Sequence, residues 1–326
     1  MSNTVYWSKT ALTGGGATAL DGIGVITAGD FCHTCVGNVL YVHKAVASSA
    51  TESSPDVIVP DAASSCRWIL QRTYSALPPG YISGLVMSHD ADTEHDIGVT
   101  AGACRDSTDA SDIVLGAAIV KRADAAWQVG TAQGGMDTGS IPTSGTLHVW
   151  VIKRSDTGVV DVLFSISATS PTMPTNYDYK RRIGSLITDS SANIRNGMWF
   201  GTGEKRSFFY ATPVSDQNGT QAATTEQTLS LSVPSGVRML AYLNVAMTDA
   251  SASINYMYAG PTDGTDVAPD KGADACIDIG GTTGGVASYN YMRILTDTSG
   301  QMHYRLAYGH TPPTVRIATY GWEDSL

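Results

Sequence analysis

The segment that most constrains this chain's fold is the pair of alternating apolar runs on either side of Ser155-Asp156-Thr157-Gly158. Leu147, Val149 and Val151 lead into that polar turn, and Val160, Val162, Phe164 and Ile166 lead out of it. Period-two spacing puts each set on one side of an extended strand. A short Gly-containing turn between two such runs predicts a β-hairpin. The surrounding stretch, Trp127 to Ile194, carries no obvious nucleophile, metal cage or phosphate loop.

Further strands are predicted along the rest of the chain. In the first 74 residues they fall at Thr4–Trp7, Val39–Lys44 and Arg67–Gln71, with a Pro-punctuated extended loop at Glu52–Asp61. Leu77-Pro78-Pro79-Gly80 reads as a linker, because two prolines favour extended backbone and the glycine permits a turn. Beyond it, strands are expected at Tyr81–Ser88, Ile97–Ala103, Ile113–Lys121, Trp127–Thr131 and Ile183–Ile187. The last third adds Met198–Phe200, Phe208–Thr212, Thr228–Val233, Val237–Ala246, Ile254–Tyr258, Tyr289–Thr296, Met302–Tyr308 and Val315–Tyr320. A Gly- and Asp-rich loop is expected over residues 268–280.

Helical periodicity is nearly absent, and the turns recur at intervals typical of a sandwich or jelly roll. The expected fold is therefore all-β. A small N-terminal β module (residues 1–74) and a Pro/Gly linker (75–80) precede antiparallel, jelly-roll-like sandwiches over 81–195 and 196–326, or a single unit over 81–326. Trp150–Gly158 and Tyr291–Gly300 share a strand-then-turn wording, a hint of duplication that turn chemistry alone can also produce.

Composition narrows the function classes. The 326 residues are 42% hydrophobic and only 15% charged, against roughly 25% charged in ordinary soluble domains. A formal net charge of -10 argues against nucleic acid as the main partner, since phosphate neutralisation needs a basic face. No apolar run approaches the roughly 20 residues that span a bilayer, and residues 1–16 lack the pattern of a signal peptide. The five cysteines, Cys32, Cys35, Cys66, Cys104 and Cys276, are scattered and do not suggest a disulfide framework.

The turn Gly134-Gly135-x-Asp137-Thr138-Gly139, the hairpin Asp156-Thr157-Gly158 and the run Arg181-Arg182-Ile183-Gly184-Ser185 after Pro171 and Pro174 resemble segments of tail-fibre and other adhesive structural proteins of tailed bacteriophages and prophages. The order GNVLYV, ESSPDVIVPD, RWIL over residues 37–70 resembles the small N-terminal modules of fibre-type proteins. The resemblance covers most of residues 1–194. It implies a virion protein made in the host cytoplasm: a short tail fibre or spike, homotrimeric, attached to other tail or capsid proteins through its N-terminal module. Its distal β-domains would bind host surface polysaccharide or protein without catalysis, cofactor or membrane insertion. A decoration, head-fibre or connector protein without receptor binding is the alternative, and a glycan-depolymerase spike is a second.

Chemistry-bearing clusters are few. Cys32-His33-Thr34-Cys35 has the residue types of a zinc site, but on a strand its two cysteines point to opposite faces. His89-Asp90-Ala91-Asp92-Thr93-Glu94-His95-Asp96 could hold an ion or form a solvated hairpin tip. No carboxylate pair is singled out for glycan cleavage, and no G-x-S-x-G elbow is present. Lys180-Arg181-Arg182 is the one basic run, suited to ion pairs within or between chains or to an anionic sugar. Aromatics concentrate in the C-terminal half, where Tyr and Trp suit adhesive surfaces. Tyr256, Tyr258, Tyr289, Tyr291 and Trp322 are the candidate carbohydrate- or receptor-binding residues.

Overall fold

A computed structural model describes residues 5–15, 18–24, 26–36, 39–62, 65–75, 77–248, 255–270, 277–279, 287–309 and 311–326. Among them there is no helix, and the strands assemble into five sheets. The fold is all-β. The chain divides into two compact units: Met1–Pro79 with Thr108–Asp112, and Gly80–Ser107 with Ile113–Leu326.

The first unit carries a five-stranded sheet in the order Val5–Lys9, Phe31–Val36, Val39–Ala47, Cys66–Ser75, Val57–Ile58. Its core gathers Leu20, Ile23, Ile26, Cys32, Ala45, Ile58, Cys66 and Trp68. The Asp21 carboxylate accepts the backbone N–H groups of Gly14 and Gly15, at 2.7 and 3.0 Å. This closes the Gly-rich turn.

The second unit contains two sheet-on-sheet cores. In the first, seven strands run in the order Tyr177–Ile187, Thr146–Arg154, Val160–Ser165, Gln133–Met136, Ile119–Ala126, Asp96–Val99, Met87–His89. A three-stranded sheet of Asp112–Leu115, Gly102–Arg105 and Ile82–Gly84 packs against it through Ile82, Cys104, Ile113 and Leu115. The expected hairpin forms with Val151 opposite Val162 and Val149 opposite Phe164. Leu147, Val149, Val151, Val162 and Phe164 all join this core. Ile166 lies past the end of its strand and is exposed. The hairpin is also buried on its reverse face, where Trp150, Ile152, Leu163 and Tyr177 form a separate cluster.

In the second core, five strands run in the order Gly197–Phe200, Lys205–Thr220, Thr314–Ser325, Leu240–Thr248, Ala287–Leu295. They face a four-stranded sheet of Gln227–Ser230, Gln301–Ala307, Asn255–Pro261 and Ile277–Ile279. Leu243, Val245, Val315 and Ile317 meet Met257, Met302, Tyr304 and Leu306 between the layers. Trp199 packs against both this core and the preceding one.

Several sequence expectations change. Tyr81–Ser88 is not one strand: Gly84 and Leu85 have φ of 67° and 54°, so the chain turns there and feeds two different sheets. Trp127–Thr131 is a loop rather than a strand, held in place by a buried lysine described below. Gly134 and Gly135 lie in a strand instead of a turn. A Cβ on Gly134 would collide with the Ala126 carbonyl, and one on Gly135 would meet the Phe164 ring at 2.6 Å. Close packing, not turn geometry, demands glycine at these positions. The Tyr291–Gly300 segment crosses from the five-stranded to the four-stranded sheet, so its turn is not a hairpin like that at Gly158. Ile254 and most of residues 268–280 lie outside the described residues.

Candidate functional site: an aromatic outer sheet face

The five aromatic candidates separate by burial. Trp322 is 2% exposed, stacked on Phe208 at 4.3 Å and edge-on to Tyr210 at 5.5 Å. It is a core residue and offers no ring face to a ligand. Tyr258 is 8% exposed. It packs on His303, and its hydroxyl donates to the Thr265 carbonyl at 2.9 Å. Period two does not separate core from surface here, because the Asn255–Pro261 strand buries residues of both parities. Tyr256 is half-buried and pairs with Ala307 and Asp278. Tyr289 and Tyr291 are each 76% exposed and stand on the edge strand Ala287–Leu295, opposite Ala246 and Asn244.

These two tyrosines border a pocket of about 320 Å³ on the outer face of the five-stranded sheet. Asn244, Ala246, Ala318, Arg316 and Asn218 are among the other lining residues. The alanines keep it open. Arg316 Nε donates to Asn218 Oδ1 at 3.3 Å. Asn244 Oδ1 is buried and has no hydrogen-bond partner among the described residues, which leaves an acceptor for an incoming donor.

Beside the pocket, Phe209, Tyr242 and Tyr320 form a layer of nearly parallel rings. Their centroids lie 5.5, 5.8 and 6.2 Å apart, and Tyr291 stands edge-on to Tyr320 at 6.3 Å. The Arg293 guanidinium covers Tyr242 at 4.9 Å. At the opposite sheet edge Met198 and Phe200 are exposed, with Phe200 edge-on to Phe209. Tyr289 and Tyr291 stand out in the sequence, whereas Asn244, Arg316 and the alanines do not. The available signal was the polar and small set Asn244–Ala246, interleaved with the apolar Leu243, Val245 and Met247.

The polar clusters are knit by local hydrogen bonds and ion pairs. Asp92, Glu94 and His95 hold ligand atoms within 4.8 Å of one another, but they form an exposed turn. Asp92 accepts the Glu94 N–H at 3.0 Å and pairs with His95 Nδ1 at 3.0 Å. Hydrogen bonds from His95 and the Glu94 N–H hold the Asp92 carboxyl below the usual range. Cys32 is buried and contacts Thr34 Oγ1 at 3.7 Å; the side chain of Cys35, and Cys276 altogether, lie outside the described residues. Within the basic run, Arg182 forms a fork with Asp324.

Ser185 sits beside that fork, with its Oγ 2.9 Å from His148 Nδ1. Both residues are buried, and Asp324 approaches the serine rather than the histidine. Burial, then the neighbouring Arg182 charge, lowers the His148 pKa to about 4. The imidazole is therefore neutral near pH 7.

No family model matches the chain, and no curated protein matches it in sequence. Two of the solved structures that it matches show how faint the likeness is. A glycoside hydrolase in complex with neoagarooctaose matches with a TM-score of 0.18 at 10% identity, over 77% of this chain and 34% of that one. The infectious bursal disease virus Gx strain structure matches with a TM-score of 0.19 at 11% identity, over 76% of this chain and 75% of that one. The chain spans about a third of the hydrolase's length, and neither likeness carries a functional argument.

Proposed function

We propose that this chain is a non-catalytic, surface-binding structural protein of the tail-fibre type, whose C-terminal sandwich holds glycan on the outer face of its five-stranded sheet. The observation that carries this reading is the pair Tyr289 and Tyr291. Two large rings, each 76% exposed, stand side by side over a pocket with an unpaired amide oxygen and a guanidinium. An isolated exposed aromatic needs no explanation, whereas a contiguous apolar patch rimmed by polar groups marks an interaction site. Tyrosine rings offer apolar faces to the C–H side of a sugar, while Asn244, Asn218 and Arg316 supply hydrogen-bonding groups. The sequence resemblance described above supplies the virion setting, a homotrimeric state, and host surface polysaccharide as the glycan's source.

The test is binding of the full chain to host-type surface polysaccharide, compared with a Tyr289→Ala/Tyr291→Ala variant. Removing two exposed side chains should change stability by no more than about 0.5 kcal/mol. It should weaken binding by on the order of tenfold or more. Equal binding by both proteins would rule out this face as the site. Release of reducing sugar would instead favour a depolymerase. Native mass measurement checks the trimer, against which a stable monomer at micromolar concentration would count.

A further inference from the structure

We infer a second binding site for a single sugar ring in the first sandwich of the larger unit, on the side of the seven-stranded sheet that faces away from its main core. A pocket of about 630 Å³ opens there, lined by Trp127, Val129, Arg154, Val159, Pro174 and Tyr177 among others. It shares no residue with the Tyr289 pocket, and the inference does not rest on the proposed function.

The pocket's walls are fixed in place. Lys121 is fully buried, and its ammonium meets three acceptors: the Gln128 carbonyl at 2.5 Å, the Gly130 carbonyl at 3.1 Å and Asp161 Oδ1 at 3.1 Å. Asp161 Oδ2 in turn accepts the Gly130 N–H at 2.7 Å. A buried ion pair of this kind is costly unless every group is satisfied, and here it fastens the 127–131 loop that forms one wall. Trp127 is pinned by its indole N–H, which donates to the Val162 carbonyl at 3.0 Å. Across the pocket, Arg154 is fixed by a fork to Asp156 at 2.8 and 2.6 Å. Asn176 Nδ2 donates to the same carboxylate at 3.1 Å.

Two features of this rigid frame call for a ligand. Val129 and Val159 are 59% and 42% exposed, so the pocket shows apolar surface to solvent. Tyr177, only 4% exposed, carries a buried hydroxyl with no hydrogen-bond partner among the described residues. Leaving such an orphan buried is unfavourable, and a ligand with a hydroxyl group can pair it.

Charge narrows the ligand class. The Lys121 ammonium already lies 5.3 Å from the Trp127 ring, and the Arg154 guanidinium lies 6.0 Å from the Tyr177 ring. Each cation is matched by its own carboxylate, Lys121 by Asp161 and Arg154 by Asp156, so the pocket selects a neutral ligand over a charged one. A wholly apolar ligand would leave the Tyr177 hydroxyl unpaired. A pyranose, with C–H groups on one face and hydroxyls around its rim, suits both the exposed apolar wall of Val129 and Val159 and the orphan.

The experiment follows the tryptophan indole N–H resonances of the full chain, with the Trp127 signal assigned by Trp127→Phe. The probes are methyl α-glucopyranoside, methyl β-galactopyranoside, N-acetylglucosamine and methyl glucuronide. At least one should shift the Trp127 resonance saturably at millimolar concentration. The shift should persist in Tyr289→Ala/Tyr291→Ala, which separates this site from the other. It should weaken about tenfold or more in Val129→Arg and in Val159→Arg, two exposed positions where the chain should still fold. No saturable shift with any probe overturns the inference. So does a shift unaffected by both arginines, or tighter binding of benzene than of every sugar.

Discussion

Arg182 and Asp324, 142 residues apart, meet as a two-pronged fork: Nη1 to Oδ2 at 2.5 Å and Nη2 to Oδ1 at 2.8 Å. The pair ties the Tyr177–Ile187 strand of one sandwich to the final strand of the other. Both side chains are largely buried, so removing one partner strands a charge. Arg182→Ala or Asp324→Ala should destabilise the protein by about 3–5 kcal/mol. The double replacement Arg182→Ala/Asp324→Ala should cost clearly less than the sum. Urea unfolding of the four proteins measures this, and additive losses would contradict the coupling.

His148 makes stability fall in mild acid. Its folded pKa of about 4 lies below the unfolded value near 6.5. The unfolded state therefore binds the extra proton first, and the histidine's contribution is fully present above pH ~6.5 and lost as pH falls toward ~4. The shift corresponds to roughly 3 kcal/mol. His148→Gln should lack this component, so the gap in stability between wild type and variant should narrow from pH 7 to 4.5. A gap independent of pH would refute the assignment.

The Lys121–Asp161 pair should behave as a fastener of the 127–131 loop. Lys121→Met leaves Asp161 and two carbonyls buried without their partner, with an expected loss of about 3–5 kcal/mol. Adding Asp161→Leu should restore part of it. Amide exchange at Gly130, whose N–H is held by Asp161, should accelerate in the Lys121→Met variant ahead of global unfolding. Unchanged protection at Gly130 would mean that the loop is held by other contacts.

Arg206 holds the turn at Leu85, donating to the Gly84 carbonyl at 2.7 Å and also to the Leu85 carbonyl. Burial lowers the Arg206 pKa to about 10, still charged at pH 7. Arg206→Met should therefore cost about 2–4 kcal/mol by orphaning two carbonyls. Leu85→Gly should also destabilise, by about 2–4 kcal/mol, because the lost burial outweighs relief of the left-handed φ. Thermal unfolding of both variants checks the ordering, and a stabilised Leu85→Gly would show that the strain dominates.

The same residues show how much was legible in advance. Alternation alone placed the Leu147–Phe164 hairpin, the strands of the last third and the all-β class, because period two is a local property of extended backbone. It put Trp322 and Tyr258 among the binding residues because alternation does not say which face is covered, a matter for the opposing sheet. The break at Gly84-Leu85 and the loop at Trp127–Thr131 were invisible for a related reason. Each is hydrogen-bonded by a buried cation, Arg206 in one case and Lys121 in the other, and that contact exists only in the folded chain.

The sequence by itself determined the β architecture, the turns at Gly139 and Gly158, and a wider set of aromatic candidates that includes Tyr289 and Tyr291. Only the tertiary structure decided that Tyr289 and Tyr291 overlook a pocket with an unpaired Asn244 oxygen. It also decided that Trp127 and Tyr177 frame another, and that the basic run is anchored to Asp324. Local backbone preference extends over a few residues, whereas burial and charge pairing depend on which distant segments the folded sheets bring together.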